Sequence, residues 1–188
     1  LSLNSFGVRL LVMIHSHVID RSRLNRRGFI KSALLLSSFL IKPAEAIASI
    51  PSSLSKKAIS LYNPKTEEHL KTIFWVNGSY ISDALAAIDH LMRDLRNDEI
   101  QPINLKLIEL LYEIQESMQL SEPFHIISGF RSLETNNYLR KKGWAAAKNS
   151  YHIQGKAVDI RLNNVATLSL RRAAYKLKRG GLGYYPRL

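Results

Sequence analysis

Residues 150–160 read SYHIQGKAVDI. A histidine and an aspartate stand seven positions apart in this stretch, with Gly155 between them. From Lys156 onward the residues alternate. Val158, Ile160 and Leu162 fall on one face of an extended chain, and Ala157, Asp159 and Arg161 on the other. On the residues alone, two readings stand. In the first, an ordinary turn leads into a strand, His152 makes a structural hydrogen bond and Asp159 is solvated. In the second, a bend at Gly155 brings an imidazole nitrogen and a carboxylate oxygen, both common zinc donors, to one ion. The small Ala157 then leaves room beside it.

Working outward, PFHIISGF (123–130) has strand character up to Gly129, and Ser132 opens a short helix that Gly143 stops. Upstream, Asn104 caps a helix to about Gln119, with Leu107, Leu110, Leu111, Ile114 and Met118 facing inward. Ser82 caps another from Asp83 to about Asn97. Two strand-like runs flank NPKTEE (63–68), and Asn77-Gly78 marks a tight turn, so a hairpin is expected there. Downstream, a last helix covers about 166–179, and GGLGYYP (180–186) reads as its cap and a turn. Strands and helices mix without a regular alternation, which favours an α+β class: a small antiparallel sheet with helices packed on it.

The chain has 188 residues, 46% apolar and 22% charged, enough for one cored domain and an appendage. It contains no cysteine, so disulfides, thiolate zinc sites and thiol nucleophiles are excluded. Its net charge of +12 divides into +5 over residues 1–46 and +7 over the rest, so the body is itself basic. Such a body attracts polyanions: nucleic acid, or an anionic cell-wall polymer.

The front of the chain reads as an address. NRRGFIK (25–31) resembles a twin-arginine export signal. The apolar run SALLLSSFLI (32–41) that follows is short for a bilayer span, and Ala44, Ala46 and Ala48 supply small residues for a signal peptidase. Residues 1–46 are therefore read as targeting sequence, 47–57 as a linker and 58–188 as the folded domain. The expected product is periplasmic, with no stable membrane anchor after cleavage.

Taken with its neighbours, the opening stretch carries a resemblance. SYHIQGKAVDIRL, preceded by ISGFRSLETNNYLR and followed by RGGLGYYP, is similar to the zinc D-Ala-D-Ala peptidase superfamily. Within it, the nearest match is the twin-arginine-exported murein endopeptidase branch. The similarity runs over about residues 58–187. It implies a peptidase that hydrolyses peptide cross-links of peptidoglycan with zinc-activated water. His152 and Asp159 become zinc ligands, and Arg131 becomes the cation that binds substrate or stabilises the oxyanion. Ser150, Ser128 and Tyr184 become substrate contacts, with Tyr185 also near the groove. The implied partners are peptidoglycan, the twin-arginine machinery and signal peptidase, and no nucleic acid.

A catalytic zinc ion ordinarily has three protein ligands. The resemblance places the third, a histidine, on a strand beyond GYYP, and the sequence as given stops at Leu188 before it, as either a truncated record of a competent enzyme or a genuinely shortened product would. No motif places His69, His90 or His125 at the metal; His125, on the strand before SGFRS, is the one to check. The expectation is a sheet short of its last strand, weak zinc binding and impaired hydrolysis. The alternative is a non-catalytic wall-binding protein on a degenerate peptidase fold.

Overall fold

The computed structural model describes residues 9–15, 55–144 and 146–185. Their regular structure begins with a strand the sequence reading did not expect, β1 (Arg9–Met13). β2 (Lys56–Asn63) and β3 (Glu68–Val76) form the expected hairpin. Asn77 and Gly78, with φ of 46° and 89°, reverse the chain into the short β4 (Ser79–Tyr80). Positive φ at both turn residues suits the twist of the flanking strands.

Helix α1 (Ser82–Leu91) starts at Ser82 rather than being capped by it. It also ends six residues before the expected Asn97. The Asp94 and Asn97 side chains take the amides of Arg96 and Glu99, folding local turns in place of a further helical turn. α2 (Leu105–Ser117) is capped as expected, the Asn104 side chain accepting from the Lys106 amide at 3.0 Å. β5 (Phe124–Ser128) and α3 (Leu133–Lys141) follow, with Ser132 accepting from the Thr135 amide. A single 3₁₀ turn, Tyr151–Gln154, leads into β6 (Ala157–Arg161). After α4 (Thr167–Lys176), the GGLGYY segment forms a strand, β7 (Gly181–Tyr185), where the sequence suggested only a cap and turn.

The sheet order is β4-β3-β2-β5-β6-β1-β7. The fold is α+β as expected, but the sheet is seven-stranded and mixed rather than small and antiparallel. β2 and β5 run parallel because the chain returns between them through α1 and α2. β1 pairs antiparallel with both β6 and β7. Helices α1, α2 and α4 pack on β3, β2 and β1, covering one face. β1 contributes Leu10 and Val12 to that core, both 0% exposed. Each such side chain stabilises the fold by about 1.5–3 kcal/mol. Asp159 and Arg161 alternate to the opposite face, where the site lies. No helix among the described residues is long and apolar enough to cross a membrane.

Candidate active site

The bend before β6 is built from backbone hydrogen bonds. The Ser150 hydroxyl accepts from the His152 amide, and the Lys156 amide returns to the Tyr151 carbonyl. Gly155 takes φ +61°, and its carbonyl accepts from the Asn104 amide at 2.9 Å. A Cβ at this position would meet the Pro102 carbonyl oxygen at 2.6 Å, so the close approach and the left-handed φ both call for glycine. The bend folds His152 back over the strand that carries Asp159. Both side chains are buried, and His152 Nε2 stands 3.5 Å from Asp159 Oδ2.

His152 Nδ1 lies 2.7 Å from the Gly129 carbonyl. A carbonyl only accepts, so Nδ1 carries the proton and a neutral ring presents a lone pair at Nε2. Burial pushes the ring's pKa below its ordinary value, opposed by the charge of Asp159 and assisted by Arg131. The neutral ring therefore dominates near pH 7. Two acceptors then face each other across a buried gap, an arrangement that repels unless a cation lies between them. The spacing suits one: donors each ~2.1 Å from a tetrahedral ion stand about 3.4 Å apart. His152 and Asp159 thus fit two corners of a zinc site.

The third corner does not fit. Among the described residues there is no cluster of three His, Cys, Asp or Glu side chains that could hold a metal. The residue directly across from Asp159 on the neighbouring strand is Leu11, which on its other side faces Gly183. Two residues along the same face, the Arg9 guanidinium sits 3.6 Å from Asp159 Oδ2 and over the Tyr185 ring. On β1, a fixed cation and an aliphatic side chain, not a third donor, are the neighbours of Asp159.

Arg131 and Ser128 join His152 and Asp159. Ser128 pairs across the sheet with Asp159, and Arg131 donates to the Ser128 hydroxyl at 3.3 Å and to Asn136 at 3.4 Å. Burial lowers the Arg131 pKa, yet a guanidinium keeps its charge. Gly129, between them, lies so close to Met92 that a Cβ would meet its carbonyl oxygen at 2.4 Å. Asp94 ties the same loop by accepting from the Ser132 amide at 2.8 Å. Burial alone would raise the Asp94 pKa, but bonds from Thr135 and Ser132 outweigh it and hold the carboxyl below the usual range.

Other expected contacts are placed differently. The Ser150 hydroxyl caps the turn and is buried there. Tyr184 registers with the core residue Leu10 and stacks under Arg171 of α4, which puts its ring on the helical face of the sheet. Tyr185, one residue on, is the tyrosine on the Asp159 side. His125 pairs in register with Arg161 and Tyr62, away from the His152–Asp159 pair. Sequence reasoning missed Arg9 and Leu11. Their only signal was the alternation of Leu10, Val12 and Ile14, hidden in a run that is apolar throughout. Beside the site opens a cavity of about 490 Å³, lined among others by Arg9, Lys65, Arg96, Arg131, Trp144 and Arg161, with Asp94 the one carboxylate of its lining among the described residues.

The α+β fold is compatible with a peptidase-like domain. The family model described as "Peptidoglycan L,D-endopeptidase MepK" matches residues 52–188, and the chain belongs to that family. The peptidoglycan L,D-endopeptidase MepK of Escherichia coli K12 is 35% identical over 169 residues, covering 90% of this chain and 92% of its own. The probable peptidoglycan L,D-endopeptidase MepK of Haemophilus influenzae is 31% identical over 163 residues, covering 86% and 87%. No solved structure matches the chain.

Proposed function

We propose that this chain engages the peptide cross-links of peptidoglycan in the cleft beside Arg131, and that its cleavage of them is impaired. Engagement is supported by family membership and by the cleft itself. Its guanidinium and ammonium groups outnumber carboxylates, and Leu95, Phe130 and Trp144 add apolar surface for a peptide. In this reading Arg131 binds a carboxylate or a developing oxyanion, with Ser128 and Asn136 fixing the plane of its fork. Ser128 contacts the bound peptide.

One observation carries the impairment: among the described residues no third donor stands with His152 and Asp159, and while residues 1–46 remain attached Arg9 faces Asp159 instead. The same observation favours a second reading, a wall-binding protein without hydrolysis. Incubation with purified sacculi tests both. The chain should bind, Arg131→Ala should weaken binding, and muropeptide release with zinc added should fall at least about 100-fold below that of the E. coli relative. Release at the relative's rate would overturn the proposal, and binding with no release above the buffer control would favour the wall-binding reading.

The chain is also proposed to travel through the twin-arginine route to the periplasm, losing residues 1–46, with 47–57 as linker. The support is NRRGFIK and the apolar run after it, both outside the described residues. A reporter fused after residue 57 should be exported, and Arg26→Lys with Arg27→Lys should retain it in the cytoplasm. Export that ignores the double change would refute the route.

A further inference from the structure

We infer that, while residues 1–46 remain attached, Arg9 is a built-in counter-cation of the His152–Asp159 pair, held by β1 where it competes with zinc for the Asp159 carboxylate. The inference rests on the reading of that pair as metal ligands and concerns what occupies it in this chain.

The position of Arg9 is imposed by the strand. Leu10 pairs with Ile160 and Tyr184, and Val12 with Val158 and Leu182. Leu10 and Val12 are fully buried and Ile14 is 2% exposed, so the register is set by the core face. A slip of one residue would turn those three side chains to the other face. With that register, period-two alternation leaves Arg9, Leu11 and Met13 on the face of Asp159. Arg9 is only partly accommodated: its Nε is buried with no hydrogen-bond partner among the described residues. Core packing, not a good fit of the guanidinium, therefore puts it there.

The electrostatic consequence follows. A guanidinium cannot shed its proton in a protein, so no pH change removes the competitor. The single negative charge of Asp159 is already met by Arg9, and Arg131 adds a second positive charge nearby. A divalent ion entering between Nε2 and Oδ2 would face both cations in a water-poor setting, where repulsion is strong. Removing the Arg9 charge should open the pair to metal even with only two protein ligands.

The test uses the full chain and zinc alone, read by competition with a chromophoric chelator, with thermal melting as a check of folding. Arg9→Met should bind one zinc at least about tenfold more tightly than the unaltered chain. Arg9→Lys, which keeps the charge, should not. Arg9→Gln serves if the methionine variant melts early. Adding His152→Ala to Arg9→Met should abolish the gain. Zinc bound tightly by the unaltered chain and lost with His152→Ala would overturn the role of Arg9 while keeping the ligand pair. Equal weak binding by Arg9→Met and its His152→Ala derivative would instead remove the ligand pair, and the inference with it.

Discussion

His152 is held by two backbone carbonyl-level decisions, the Gly129 carbonyl on its Nδ1 and the bend at Gly155, and both glycines are enforced by near contact with other backbone. This is why the motif was legible at the residue scale. A glycine between a histidine and an alternating strand signals a reversal, and the structure supplies one. What could not be read was the other half of the site, because a contact between Arg9 and Asp159 has no local signature. Burial of His152 makes stability depend on pH. Its folded-state pKa lies below the ordinary 6.5, with desolvation as the chief cause. His125 is lowered too, by burial first and then by Arg161. In the unfolded chain both rings take protons at a higher pH than in the folded one. The stability that comes from keeping them neutral is thus present above about pH 6.5 and is lost as pH falls through that value toward the folded pKa. Urea midpoints should rise between about pH 5 and 7.5, and His152→Gln should reduce the slope. A midpoint that falls over this range would contradict the assignment of a buried neutral ring.

At the scale of elements, local chemistry was a good guide where it acts locally. Asn104 and Ser132 cap α2 and α3 through their own side chains, three or fewer residues from the amides they satisfy. The end of α1 was misjudged because Asp94 and Asn97 bond nearby amides, an alternative to helix that periodicity does not reveal. β7 was missed because its glycines resemble a cap. They serve the strand differently: a Cβ at Gly183 would press on Leu11 at 3.2 Å. β1 was missed for the opposite reason, since an apolar stretch ahead of paired arginines reads equally as targeting sequence. Its packing gives a direct measure of whether it belongs to the sheet. Leu10 is 0% exposed between Ile160 and Tyr184. Leu10→Ala should cost about 2–5 kcal/mol in urea unfolding, as for other buried leucines. Leu11→Ala, on the site face, should cost less. Equal and negligible losses at both positions would mean that residues 9–13 do not pair with β6 and β7.

At the scale of the molecule, two readings of the N-terminal region meet. The strand that completes the sheet lies upstream of the arginine pair, and the proposed cleavage after Ala46 or Ala48 would sever it from the domain. Removing residues 9–15 takes away three buried apolar side chains, Leu10, Val12 and Ile14, together worth about 4.5–9 kcal/mol, against a typical domain stability of about 5–15 kcal/mol. It also separates β6 from β7 and leaves unpaired backbone on both. Open strand edges of this kind recruit other strands. The form comprising residues 47–188 should therefore melt well below the full chain and self-associate with rising concentration in sedimentation velocity. Supplying a peptide of residues 7–15 in trans should restore the monomer, because the slot is shaped for Leu10 and Val12. If the shortened form is monomeric and melts with the full chain, β1 is dispensable to the sheet, and core packing does not hold Arg9 on Asp159.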